Sequence, residues 1–311
     1  MNVALLCPGQ GAQRVGMGRD LAEAFPAARE AFAAFDEALG FALTTVMWEG
    51  PEELLTSTDH AQPAILAHSV AVWEVVRGKL AGQVAAAAGH SLGEYSAYVA
   101  AGALGAAEAV RLVRRRGELM RAAGDARPGT MAAVMGLDAD RVAALCREAS
   151  TGAEVAVAAN LNAPDQTVIS GDPAAVARAG DLLKAAGAKR VVPLKVSGAF
   201  HSPLMAPPAH RFASDLAQVT LRAPGFPVVA NASASVVTDP DEARRLLAAQ
   251  LTSPVRWVEG VRRLAEVAGS GVRFVEIGPG TVLTGLAKRI VSGCETLNLG
   301  TAAEVAAYLE A

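Results

Sequence analysis

Cysteine is scarce: three residues in 311, Cys7, Cys146 and Cys294, with no C-x-x-C pair and no metal-like spacing to the five histidines. That argues against a disulfide scaffold or a cysteine-rich metal site. The three read as small buried hydrophobes in a reducing compartment. Net charge is also lacking. With 28 Lys and Arg against 31 Asp and Glu, the formal value of −3 leaves no footprint for nucleic acid or an anionic membrane. No apolar run approaches the roughly 20 residues that cross a bilayer. The opening "MNVALLCPGQG" has a short apolar run without a basic lead-in, so a first strand is expected rather than a secretory leader. Nucleotide fingerprints are missing too. No G-x-x-x-x-G-K-[ST] occurs, and "CPGQGAQRVGMG" puts Arg14 where G-x-G-x-x-G needs its last glycine. A cytoplasmic protein without metal or bound redox cofactor is expected.

What is present is an alternation of short apolar runs with amphipathic stretches, the pattern of an α/β fold. Strands are expected over 3–7, 84–88, 226–231, 272–277 and 295–299. Helices are expected over 64–80, from about 92, and over 106–123, 241–251, 254–268 and 282–291, with a short one closing the chain. Between them, 129–197 changes character. Strands over 131–137, 154–161, 166–171 and 189–196 alternate with helices over 139–149 and 173–186, with Asp138 as N-cap of the first and "NAPD" as a turn-rich loop. That order, β-α-β-β-α-β, is the order of a ferredoxin-like unit. The domain expectation is a large α/β unit over 1–128 and 198–311 with this small unit inserted. No internal repeat is seen.

Within "AAAAGHSLGEYSAYVAAG" the motif G-x-S-x-G stands between a strand-like run and a helix, the pattern of a nucleophile elbow. Flanking glycines allow a tight turn that exposes the Ser91 hydroxyl. A nucleophilic serine needs a base. His60 and His210 have polar neighbours and read as surface residues, His68 lies within a helix, where a hydrogen-bonded structural role is expected, and His90 points away as Ser91's chain neighbour. His201, in "SGAFHSPLM", follows the last strand of the insert and is the candidate. No Asp or Glu stands out as a third member, and a backbone carbonyl is an alternative. The loop Gly9-Gln10-Gly11 is either an oxyanion-hole contributor or a plain turn. A helical projection of 109–120 places Arg111, Arg114, Arg115 and Glu118 on one face and Arg116 among apolar residues on the other. A guanidinium facing a core demands an anionic partner, either a structural carboxylate or a substrate's.

Taken together, "PGQGAQ", "GHSLGEYSA", "RRRGELM", "NLNAPDQTVISG", "GAFHSPLM", "AQLTSPVRW" and "EIGPGTVLTGLAKRI", in this order, resemble the malonyl-CoA:acyl-carrier-protein transacylases of type II fatty acid synthesis. The resemblance runs the whole chain. It implies a hydrolase-like α/β large subdomain with a parallel sheet, an inserted ferredoxin-like subdomain, and an active site in the cleft between them. It implies Ser91 as acyl-accepting nucleophile, His201 as general base and then acid, and the Gln10 and Leu92 amides as oxyanion hole. Arg116 would hold the malonyl carboxylate, and the Gln250 carbonyl would orient His201. Asn160 and Asn162 would lie near the pantetheine arm, and Asn231 near the site. "GAFH" resembles the malonyl-selective form of its motif. Asp59-His60, Thr281 and Tyr98 depart from the family pattern, none at a catalytic position.

The function expected is ping-pong transfer of malonyl from malonyl-CoA to the phosphopantetheine thiol of acyl carrier protein, by a monomer. Three rivals are a serine thioesterase or esterase, an acyltransferase of a polyketide pathway, and a non-catalytic carrier-docking module.

Overall fold

The computed structural model describes residues 2–196 and 198–311, so residues 1 and 197, which bound the two expected subdomains, lie outside the described residues. Among the described residues, ten strands form two sheets. They are β1 (Val3–Cys7), β2 (Val84–Gly89), β3 (Thr130–Met135), β4 (Ala156–Ala163), β5 (Gln166–Gly171), β6 (Arg190–Pro193), β7 (Val228–Val229), β8 (Val236–Val237), β9 (Arg273–Ile277) and β10 (Glu295–Leu299). The larger sheet has the order β10-β9-β1-β2-β7-β8 and is parallel except for β8 at its edge. β1 is buried along its whole length, as expected for a parallel strand covered by helices on both faces. The second sheet, β4-β5-β3-β6, is antiparallel, and its helices Ala139–Ala149 and Pro173–Ala185 complete the ferredoxin-like order. It carries its own core around Val134, Val142, Ile169, Ala179 and Leu183.

Four departures from the expected elements shape the site. The helix expected from residue 64 begins a turn and a half earlier, at Thr58, and runs to Leu80 with Pro63 inside it. Proline cannot donate to the carbonyl four residues back, and here the orphaned Asp59 carbonyl accepts from Arg114 at 2.8 Å instead. The extra turn brings Thr58 and Gln62 inward. Second, the helix expected from residue 254 starts at Trp257. Val255 is spent on a bridge to β4, donating to the Ala159 carbonyl at 2.8 Å and accepting from the Leu161 N–H at 2.9 Å. Third, β7 is two residues long, which leaves Asn231 outside the strand and turned toward the elbow. Finally, β4 continues through Asn162 and Ala163, where a loop was expected. Register shifts at 158/160 and 161/163 mark bulges, the usual device for re-aiming side chains.

The two sheets are tied by ion pairs. Arg127 reaches Asp172 at 2.7 Å, and Arg289 pairs with Asp165 and Gln166 at the β4–β5 turn. Asp138 caps its helix as expected, accepting from the Arg141 N–H. Asp172 makes no helix cap with its side chain and instead accepts from the Val155 N–H, so β4 starts at 156 rather than 154. Cys7 and Cys146 are buried, and Cys294 is half-buried. No helix among the described residues is long and apolar enough to cross a membrane, and no group of three His, Cys, Asp or Glu among them is placed to hold a metal.

Candidate active site

Parallel strands deliver their C-terminal ends to one edge of the sheet, where α/β folds place their ligands. β1 and β2 are neighbours in register, with Cys7 beside Gly89, so the loop at 8–12 and the turn at 90–92 emerge side by side. Glycine is required in the turn. A Cβ on Gly89 would meet the Gly93 carbonyl carbon at 1.8 Å. Ser91 holds φ at +52°, a left-handed value that a serine adopts only when its surroundings enforce it. The enforcement is visible. The Ser91 N–H donates to Asn231 Oδ1 at 2.7 Å, while Asn231 Nδ2 donates to the Gly89 carbonyl at 2.7 Å.

His201 Nε2 lies 2.8 Å from Ser91 Oγ. Its Nδ1 faces two carbonyl oxygens, of Gln250 at 3.0 Å and Ser253 at 3.2 Å. Carbonyls only accept, so Nδ1 carries the proton and Nε2 presents its lone pair to the serine hydroxyl. Burial, joined by the nearby Arg116 charge, holds the His201 pKa down to about 3. The imidazole is therefore neutral at ordinary pH and able to take a proton.

Arg116 sits on the core-facing side of helix Ala106–Ala126 and is only 1% exposed. Its helix packs tightly on Thr58–Leu80, since a Cβ on Gly117 would come within 2.6 Å of the Asp59 Cα. The guanidinium donates through Nη1 to Gln62 Oε1 at 2.7 Å, and through Nη2 to Gln250 Oε1 at 2.9 Å and to Ser91 Oγ at 3.2 Å. No carboxylate touches it directly. Its other near neighbours are the Tyr95 ring, 5.8 Å from the guanidinium carbon, and the buried Glu94, which it meets only through Gln250. Arg111 and Arg115 are exposed as expected, whereas Arg114 folds onto Asp59 and Glu118.

A cavity of about 290 Å³ opens between the two sheets. Ser91, Leu92, Gln10, Arg116 and His201 line it from one side, and Met131, Asn160, Val168 and Lys195 from the other. Neither the Gln10 nor the Leu92 N–H has an acceptor among the described residues. Asn160 lies in this wall. Asn162 lines an adjoining cavity and meets His90 Nε2 at 2.8 Å. Gln250, whose carbonyl faces His201 Nδ1, and Asn231 are not in the cavity wall. Both are buried behind Ser91, and their polar atoms are taken up by Arg116, Ser91, Glu94 and Gly89. His210 is exposed, whereas His60 is half-buried against Asp59 at 3.4 Å. His68 is fully buried, as a structural role requires, and its Nδ1 has no hydrogen-bond partner among the described residues.

Residues 4–306 match the acyl transferase domain family. The chain is 45% identical over 308 residues to the malonyl CoA-acyl carrier protein transacylase of Escherichia coli strain K12, covering 99% of this chain and 98% of that protein. The chain belongs to the malonyl-CoA:acyl-carrier-protein transacylase family. The crystal structure of an acyl carrier protein S-malonyltransferase from Vibrio cholerae is similar to this transacylase fold with a TM-score of 0.93 and 43% identity, over 99% of this chain and all of that one. A type II PKS acyl-carrier protein in complex with its malonyl-transacylase gives a TM-score of 0.94 at 42% identity, over 100% and 99% of the two chains.

Three site residues of this transacylase were missed in the sequence: Thr58, Gln62 and Glu94. Thr58 Oγ1 donates to Gln10 Oε1 at 2.8 Å, and Gln62 Nε2 donates to Thr58 Oγ1 at 3.0 Å. Polar residues on an otherwise apolar helix were the available signal, obscured by Pro63, which suggested that the helix began after it.

Proposed function

We propose that this chain moves malonyl from malonyl-CoA to the phosphopantetheine thiol of acyl carrier protein through a malonyl-Ser91 ester, supplying the malonyl carrier for fatty acid biosynthesis. Ser91 Oγ attacks the thioester carbonyl as His201 Nε2 takes its proton. The resulting oxyanion is held by the Gln10 and Leu92 amides, donors that typically contribute about 100- to 1000-fold each. The C–S bond then breaks, and the CoA thiolate leaves with the proton from His201. In the second half, His201 accepts the proton of the carrier thiol, sulfur attacks the ester, and Ser91 regains its hydrogen. No step needs a metal or a redox cofactor.

The observation that carries this reading is Arg116, a buried guanidinium 3.2 Å from the nucleophile with no carboxylate in direct contact. A malonyl carboxylate would supply the missing anion. The Gln250 and Ser253 carbonyls take the place of a triad acid, orienting the imidazole without adding a charge. Asn160 and Asn162 belong to the walls along which a pantetheine arm would enter, and Gln250 and Asn231 support the reacting groups from behind. We further take the chain as a cytoplasmic monomer, with 129–197 as the small subdomain and 1–128 plus 198–311 as the large one.

Mass spectrometry of the intact protein after malonyl-CoA tests the proposal. A malonyl adduct is expected on the wild-type chain and none on Ser91→Ala. Adding holo carrier protein should then discharge the adduct onto its thiol. Prompt release of free malonate without an acceptor would favour a thioesterase and sink the transfer reading.

A further inference from the structure

Glu94 has no part in the steps above, yet it lies at the centre of the buried hydrogen bonds behind Ser91. It is wholly inaccessible to solvent, in the first turn of helix Gly93–Ala100. One of its oxygens, Oε2, accepts from Gln250 Nε2 at 2.7 Å and from the Asn231 backbone N–H at 3.1 Å. The other, Oε1, has no partner. Each residue held by Oε2 holds reacting groups in turn. Asn231 fixes the Ser91 amide through Oδ1. Gln250 touches Arg116 through Oε1, the Ser91 carbonyl through Nε2, and His201 Nδ1 through its own backbone carbonyl.

We infer, building on the transfer reading above, that Glu94 is a positioning residue whose single working oxygen sets Asn231 and Gln250 and through them Ser91, His201 and Arg116. The reason is the symmetry of an amide. A glutamine side chain fits its pocket either way round, and the reversed orientation would aim NH₂ at the Arg116 guanidinium. Two acceptors face Nε2, Glu94 Oε2 at 2.7 Å and the Ser91 carbonyl at 3.0 Å. Both oppose that reversal, because an amide oxygen turned toward them cannot donate. Of the two oxygens, Glu94 Oε2 makes the shorter contact, and it alone also ties Gln250 to Asn231. Gln250 is thereby fixed with Oε1 toward Arg116. Burial pushes the Glu94 carboxyl up to about 7, so its charge is readily given up, but the geometry asks only for an acceptor at Oε2.

The role is one of position, and two conservative variants separate it from a role of charge. Glu94→Gln keeps the chain length and one carbonyl oxygen for both donors, with its NH₂ in the place of the unpartnered Oε1. Glu94→Asp keeps the charge and withdraws it by one methylene. Acyl-enzyme formation at saturating malonyl-CoA, followed by rapid quench and intact mass, should stay within about 3-fold of wild type in Glu94→Gln. In Glu94→Asp it should fall by about 30- to 100-fold, the scale of a misplacement of about an ångström. The malonyl-over-acetyl ratio should fall with it as Arg116 loses its fixed neighbour, a change that simple loss of folded protein would not produce. Should Glu94→Asp fail to fold, Glu94→Met fills the volume without an acceptor and carries the same expectation. An Asp variant as fast as the Gln variant, or a folded Gln variant as slow as Asp or Met, overturns the proposal. A wild-type chain that takes no malonyl at all overturns the transfer reading instead.

Discussion

Two strand-to-helix turns lie at the same edge of the large sheet, separated only by β1, and they are built to opposite ends. The first runs from β2 through Gly89–Leu92 into helix Gly93–Ala100. The second runs from β9 through Gly278-Pro279-Gly280 into helix Val282–Ile290. Each has a fully buried glutamate beside it. In the second turn Glu276 closes the helix start: its carboxylate accepts from the Leu283 N–H, the Thr284 N–H and hydroxyl, and Asn298 Nδ2. In the first turn no side chain caps the helix. Glu94 is turned backward onto Gln250 and Asn231, and the Leu92 N–H is left open to the cavity. A helix N-terminus attracts negative charge. One turn spends that attraction on its own carboxylate, and the other leaves it facing the cavity, where the proposed oxyanion would form.

The comparison can be tested from its strong side first. Ser91→Ala should lower transfer by about 10⁴-fold or more, since members of a nucleophile–base pair act as a unit. Labelled malonyl retained by the protein measures it. Next, Arg116→Ala should cost about 100- to 1000-fold with malonyl-CoA, with acetyl transfer unchanged or raised. Equal losses on both thioesters, measured as kcat/KM, would remove the carboxylate role.

In the second turn the effect should appear in stability alone. Glu276→Ala strands several buried donors and should cost about 2–3 kcal/mol in urea unfolding. The acylation rate of the protein that remains folded should not change. A comparable kinetic loss would break the contrast between the two turns.

The smallest effect concerns pH. Because the folded His201 sits at about 3 and an unfolded histidine near 6.5, the unfolded chain binds the extra proton in that window. This group's share of stability is thus present above 6.5 and is lost as pH falls toward 3. Wild-type acylation should hold a plateau down through pH 5. Arg116→Ala removes a charge that depresses His201, so the acid limb of its residual acetyl transfer should move to higher pH. A limb moved the other way would contradict the electrostatics.

Much of this was legible in the sequence, for identifiable reasons. The ferredoxin-like insert shows because its strands and helices each bury one face and so keep their periods. Arg116 shows because a charge among apolar residues violates the period of its helix. The elbow shows because its glycines answer a steric demand within five residues. Thr58 and Gln62 were hidden by Pro63, whose lost hydrogen bond is repaired by Arg114, a residue from another helix. Glu94 was hidden more deeply, since its partners Asn231 and Gln250 lie more than a hundred positions away. The short β7 was misjudged because Asn231 gives up strand pairing to hold the elbow.

Ser91 and His201, the two residues proposed to exchange a proton, both carry positive φ, at +52° and +55°. For a side chain with a Cβ, that conformation costs on the order of 1 kcal/mol or more. Glycine at either position would relieve it and forfeit the chemistry. Selection for thermal endurance alone would therefore tend to erode this site, and an attempt to harden the enzyme should leave these two positions fixed and seek its gains elsewhere.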